Sequence, residues 1–186
     1  MASGEDIDLL NRIARNDESA VRALYGRYNV RLYRFILRRV RNEAVAEELT
    51  NEVFMEIWKN ASKFEGRSTP SSWIYAIAHN KSISLLRKRR EEGMDDEMAA
   101  KIEDPGDTPE VSAQKMDKAG AIRRAMDKLS DAHREVIELV YYHEKSIREV
   151  SDIVGISPNT VKTRMFHARK NLSEIMQDAG LDRGWP

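Results

Sequence analysis

The segment Ser146 to Lys170, SIREVSDIVGISPNTVKTRMFHARK, constrains this chain more than any other, because it reads as two helices joined by one tight turn. Ile147, Val150 and Ile153 or Val154 recur at helical spacing, and Gly155 then offers a residue that takes a left-handed turn without steric cost. Ile156 plugs the corner. Ser157 is a good N-cap and Pro158 suits the first helical position, where its missing N–H costs nothing, so a second helix is predicted to start there. On that helix Val161, Met165, Ala168 and Leu172 share one stripe, while Asn159, Thr163, Phe166, His167 and Lys170 project from the opposite one. Lys162 and Arg169 flank one side of the outer face and Thr160 and Arg164 the other, with no acid between Pro158 and Lys170. A helical hairpin with a merely solvated basic face is the plainer alternative, but such a face usually mixes in Glu and Asp. Here an amide, short hydroxyls and a planar aromatic are interleaved with the cations, as a base-edge reader in a major groove requires. DNA recognition is therefore expected.

The rest of the chain reads as helical too. Of 186 residues, 41% are apolar and 33% charged, with few Gly and Pro and many Leu, Ala, Glu, Arg and Met, which favours a soluble all-α fold. No run approaches a membrane span, and MASGEDIDLL lacks the charged-then-apolar order of a signal peptide, so a cytoplasmic protein without membrane insertion is expected. The lack of cysteine excludes disulfides and thiolate ligands within this chain, and His79, His133, His143 and His167 show no metal-ligand spacing. No metal and no cofactor are expected. Neither a nucleophile–base pair nor a phosphate-cradling glycine loop is present, so the chain is not expected to be an enzyme.

Charge is balanced in sum, with 31 basic and 31 acidic residues, but segregated along the chain. Arg22, Arg27, Arg31, Arg34, Arg38, Arg39 and Arg41 form one basic run, and Arg87, Lys88, Arg89 and Arg90 form a second. The sign then reverses: from Glu91 to Glu110 the only cation is Lys101. That tract contains DPGDTPE and reads as a boundary, giving a first helical domain over 1–92, an acidic linker over 93–117 and a second domain over 118–186. A solvated linker is the default reading; mimicry of nucleic acid in a partner's basic channel is the functional one.

Four helices are predicted before the tract. The first, about Asp6 to Arg15, and the second, about Ser19 to Val40, carry Leu9, Leu10, Ile13 and then Leu24, Tyr28, Leu32, Phe35 and Ile36 at core spacing. A third, about Glu43 to Asn60, has Val45, Leu49, Val53 and Ile57 as its buried stripe and acids among its exposed positions. After a loop over Ser62 to Ser71 comes a fourth helix, Ser72 to about Arg90, with Trp73, Ile77, Ile74 and Leu85 expected inside. Tyr75, His79, Lys81, Ser82, Arg87 and Lys88 are expected on its other faces. Asn80, a poor helix former in mid-helix, is either simply exposed or makes a specific contact.

Together, AVAEELTNEVFMEIW, FEGRSTPSSWIYAIAHNKSISLLRKRR and LSDAHREVIELVYYHEKSIREVSDIVGISPNTVKTRMFHARKNL resemble the extracytoplasmic-function (ECF) sigma factors of the sigma-70 family. The resemblance covers most of the chain, the first half looking like the sigma-two domain and the second like the sigma-four domain. Departures are local: Asn51 stands where glutamine is common, Val45 near a usual aspartate, and Ser84 where aspartate or asparagine is common.

What the resemblance implies is a promoter reader. Glu47, Glu48, Asn51 and Glu52, with Phe54 or Trp58 as anchors, would bind core RNA polymerase through the β′ coiled coil, and the β subunit would be a further contact. Asn159, Thr160, Lys162, Thr163, Arg164, Phe166, His167 and Lys170 would read the −35 element. Phe64, Arg67, Ser68, Thr69 and Asn80 would hold the −10 element and an unpaired base, with Lys81, Arg87 and Lys88 attracting phosphates. An anti-sigma factor is the expected regulator. A stand-alone helix-turn-helix regulator is the competing reading; it leaves FEGRSTPSSWIYAIAHN without a task. A membrane-surface role for the arginine-rich second helix is disfavoured, because its apolar residues are needed in the core.

Overall fold

The computed structural model describes residues 2–93 and 113–178, and every element among them is helical. Most of the acidic tract lies outside the described residues. The chain divides into two compact units, the first carrying α1 (Ala2–Ile13), α2 (Glu18–Val40), α3 (Glu43–Asn60) and α4 (Pro70–Glu91). The second carries α5 (Ala113–Asp127), α6 (Asp131–Ile137), the start of α7 (Ile147–Val154) and α8 (Pro158–Asp178).

In the first unit, polar side chains set the helix boundaries. Asp17 caps α2 by accepting from the Ser19 and Ala20 amides, and Arg12 Nε donates to its other oxygen at 2.9 Å. Arg41 closes α2 in the left-handed region at φ 50°, and Asn42 then caps α3 by accepting from the Val45 amide at 3.0 Å. Leu24, Leu32, Phe35, Ile36, Val53, Ile57 and Ile74 form the centre of the core. Asp6 is also buried: it accepts from Tyr28 Oη and Arg27 Nη1, both at 2.5 Å, so α1 is tied to α2 by a charged and hydrogen-bonded group rather than by packing alone.

Two groups give the stability of this unit opposite pH dependences. The Ser19 hydroxyl and then the Arg12 guanidinium hold Asp17 down to about 2, from an ordinary value of 3.8. Its contribution is complete above the ordinary value and is lost as pH falls toward 2. Burial, and then the bond to Asp6, push Tyr28 up to about 12 from 10.0, so its contribution is present below pH 10 and is lost as pH rises through 12. Asp17→Ala should therefore flatten the acid limb of a pH–stability profile, and Tyr28→Phe the alkaline limb. Denaturant midpoints across pH check both, and unchanged limbs would disprove the assignment.

The exposed and buried faces of α4 differ from the expectation. Ser72, Ile74, Tyr75, Ala78, His79 and Ser82 are buried, whereas Trp73, Ile77 and Leu85 are only half-buried. Small residues cause the rotation. Ser72, Ala78 and Ser82 let α4 lie against α1, α2 and α3, and the Ser82 hydroxyl is satisfied by the Ala78 carbonyl at 2.8 Å, so a polar residue sits inside without penalty. Tyr75 is 2% exposed and meets Phe35 edge-on at 5.2 Å; burial drives its hydroxyl pKa upward. The helix also begins two residues before the expected Ser72, at Pro70, with Thr69 as its cap.

The second unit is held at its centre by Arg134, which is buried where α5 ends. Its Nε donates to the Met126 carbonyl at 3.0 Å, which also accepts from the Leu129 amide at 3.1 Å, and its Nη2 to the Asp127 and Leu129 carbonyls at 3.1 and 3.0 Å, at and just past the end of α5. Ser130 caps α6, which continues into one π-helical turn over Glu138–Tyr142. There the His143 amide reaches back five residues to the Glu138 carbonyl, and Tyr141 and Tyr142 turn outward.

Candidate nucleic-acid interfaces

Local chemistry forms the helix pair α7 and α8 as the sequence predicts. Ser146 and Glu149 cap α7 reciprocally: the Glu149 amide donates to Ser146 Oγ at 3.2 Å and the Ser146 amide to Glu149 Oε2 at 3.0 Å. Gly155 turns at φ 73°, and Ser157 Oγ accepts from the Thr160 amide at 3.1 Å as α8 begins at Pro158. Val161, Met165, Ala168 and Leu172 are buried, as is Met176 one turn later.

On the opposite face Asn159, Thr160, Lys162, Thr163, Phe166, His167 and Lys170 are exposed, with Arg164 half-buried at the edge. Phe166 is 66% exposed, a cost that an apolar contact elsewhere would remove. Thr163 donates its hydroxyl to the Asn159 carbonyl at 3.0 Å, which leaves its methyl and lone pairs facing outward. His167 meets Phe166 edge-on at 5.4 Å and stacks on His133 of α6 at 6.4 Å, while Arg169 lies over the Tyr141 ring at 5.6 Å. His133 and Tyr141 thus buttress the recognition helix. Spacing along the sequence carries no sign of either contact, because they join residues 28 to 34 positions apart.

The first unit spreads its candidates over two places. At the N-terminus of α4, Gly66 turns the chain at φ 70°, Phe64 packs on Trp73 at 5.4 Å, and Arg67 reaches into solvent with Glu65 at 2.6 Å. Thr69 is committed to the cap, accepting from the Ser72 amide at 3.1 Å, and Ser68 lies beside it half-buried. Asn80 lies ten residues into the helix, about 15 Å along its axis from Pro70. The loop and Asn80 therefore do not form one pocket. Asn80, Lys81 and Lys88 instead line a groove of about 500 Å³ between α3 and α4, with Arg87 exposed on the next turn. Trp73, Asn80 and Arg87, seven residues apart, fall on the outward side of α4 with Ile77 and Ser84 between them, a stripe the expected face had hidden by placing Trp73 and Ile77 inside.

On α3, Glu47, Glu48, Asn51 and Glu52 are exposed as one acidic face. Phe54 is not part of it. Its ring is 6% exposed and packs at 4.7 Å against Tyr25 of α2, so the expected anchor is a core residue. Met55, exposed, occupies the middle of the acidic face, and Trp58 is half-buried beside it.

Comparison with known proteins then decides the family. The sigma-70 region 2 family matches residues 24–92, which hold α3, the loop and α4, and the sigma-70 region 4 family matches residues 119–172, which hold both helices of the turn. The ECF RNA polymerase sigma factor SigK of Mycobacterium tuberculosis (strain ATCC 25177 / H37Ra) is 30% identical over 176 residues, covering 92% of this chain and 94% of that protein. The chain belongs to the ECF sigma factors. SigK of Mycobacterium sp. (strain JLS) is 29% identical over 175 residues, at 92% and 91% coverage. Among solved structures, RpoE in complex with the anti-sigma factor NepR from Bartonella quintana is 25% identical with a TM-score of 0.65, over 84% of this chain and 96% of that one. CnrH in complex with the cytosolic domain of CnrY shares the fold at a TM-score of 0.68 and 22% identity, over 94% and 98% of the two chains. As an ECF sigma factor the chain is an alternative RNA polymerase sigma factor, acting in transcription initiation. Among the described residues no helix is long and apolar enough to cross a membrane.

Proposed function

We propose that this sigma factor joins core RNA polymerase through the acidic face of α3, reads the −35 element with α8 and captures the opened −10 strand along the outer side of α4. The observation that carries the reading is the segregation of chemistry within the first unit: α3 exposes acids, which suit a basic protein partner, while α4 exposes an amide and cations beside a half-buried aromatic, which suit a nucleic acid. Glu47, Glu48, Asn51 and Glu52 supply charge to the polymerase face and Met55 takes the apolar role first assigned to Phe54. Phe64, Arg67, Ser68 and Thr69 form the loop contact, Trp73 and Asn80 the base contacts, and Lys81, Arg87 and Lys88 the phosphate contacts. Residues 1–92 and 118–186 are the two working domains, joined by the acidic linker over 93–117, whose last residues, from Ala113, already belong to α5. The factor works in the cytoplasm, without catalytic chemistry of its own, and an anti-sigma factor is its partner when polymerase is not.

Pull-down of core polymerase followed by run-off transcription from a promoter selected with the holoenzyme tests the reading, and a chain that does not bind core polymerase would sink it. Asn80 gives a sharper test of the strand contact. Asn80→Ala should slow open-complex formation about ten-fold or more while leaving duplex binding within two-fold, because the amide's donor and acceptor meet a base only after the duplex opens. Permanganate footprinting and duplex gel shifts separate the two steps; equal melting by both proteins would remove Asn80 from the site.

A further inference from the structure

Two residues assigned above to different partners touch one another. Lys81 on α4 places its Nζ 3.0 Å from Glu52 Oε2 on α3. Both line the groove of about 500 Å³, beside Asn80 and Ser84 and over Leu49, Ile77 and Leu85. The Lys81 side chain is 26% exposed and that of Glu52 49%, so incoming ions can reach the pair.

We propose that this bridge is a latch between the two docking events: in the free chain Glu52 and Lys81 neutralise each other, and a polymerase cation that takes Glu52 releases Lys81 to the DNA strand. The proposal rests on the assignment of α3 to polymerase and α4 to the strand. An ammonium 3 Å from a carboxylate offers a phosphate little net charge, and the carboxylate offers as little to a basic protein surface. Drawing Glu52 away uncovers the Lys81 charge next to Asn80, because Glu56, the other acid of the groove, is held by the Asn60 amide at 2.6 Å. By linkage the effect is reciprocal, so a strand that takes Lys81 strengthens polymerase binding through Glu52 by the same factor. Three other pairs differ in this respect: Arg67 with Glu65, Arg87 with Glu91 and Lys88 with Glu92 each lie within one loop or at one helix end.

Fluorescence anisotropy of the full chain with a labelled twelve-nucleotide oligo-dT strand at low salt, without polymerase, provides the test. Glu52→Gln should raise affinity about two- to four-fold, the size a partly exposed ion pair supports, and the gain should vanish when Lys81→Met is also present. Glu48→Gln removes one charge from the same helix and controls for the general change in field; its gain should be smaller and independent of Lys81. Equal gains from Glu48→Gln and Glu52→Gln, no gain from Glu52→Gln, or a Glu52→Gln gain that survives Lys81→Met would each overturn the latch. Titration of the wild-type chain with core polymerase runs alongside: absence of binding there overturns the underlying assignment, whereas binding without the Glu52–Lys81 dependence overturns the latch alone.

Discussion

Arg134→Ala should destabilise the second unit by roughly 3 kcal/mol, since it removes its hydrogen bonds to three carbonyls at and just past the end of α5, of which Met126 keeps a second donor, the Leu129 amide, and leaves a cavity beside them. For a unit of this size that corresponds to a fall of more than about 10 °C in its unfolding midpoint. Arg134→Lys should recover less than half of the loss, because one ammonium cannot reproduce the fork of donors that reaches Met126, Asp127 and Leu129. Binding of the −35 element should fail with the fold although no recognition side chain has changed. Thermal unfolding of the full chain followed by circular dichroism reads the result. If the alanine variant melts with the wild type, those carbonyls find other donors and the central role given to Arg134 is wrong.

Lys162→Ala combined with Arg164→Ala should cut the affinity of the holoenzyme for its −35 duplex by roughly 30-fold or more, at about 1–3 kcal/mol for each lost base or phosphate contact. Each phosphate contact removed should also flatten the plot of log affinity against log salt by about 0.9. The single variants separate the two roles. Lys162 is exposed on the flank of α8, and its loss should weaken all sequences alike. Arg164 is half-buried at the edge of the recognition face, where a guanidinium can be held in one orientation, and its loss should relax preference at one base pair. Selection of bound duplexes from a randomised −35 library distinguishes them: an unchanged salt slope would place Lys162 off the phosphates, and an unchanged base preference would place Arg164 off the base edges.

How far the fold could be read in advance depended on whether the deciding chemistry is local. Ser157 followed by Pro158 announces the start of α8, and the start falls there. Thr69 followed by Pro70 carries the same signal for α4, and the helix begins there rather than at the expected Ser72. The split of α8 into a buried and an exposed face is legible because its apolar and polar residues separate cleanly. On α4 they do not: buried serines and a buried histidine carry the core face, so a reading keyed to Trp73 and Ile77 chose the wrong side. Phe54 is an apolar residue next to an acidic face, and only the Tyr25 ring across the helix pair decides that it turns inward. Arg134, His133, Tyr141 and the Glu52–Lys81 bridge act through residues distant in sequence or through backbone carbonyls, which no spacing rule reports.

With the −10 strand placed on α4 as proposed, the outward stripe sets how many bases that helix can meet. Trp73 and Arg87 are 14 positions apart on one straight helix, about 21 Å of axis at 1.5 Å per residue. Stacked nucleotides advance about 3.4 Å each, so the stripe spans at most about six of them, and fewer once the strand is stretched. On the proposed reading, helix length sets how many −10 bases α4 itself meets, and a further base falls to the loop from Phe64 to Thr69 that precedes the helix.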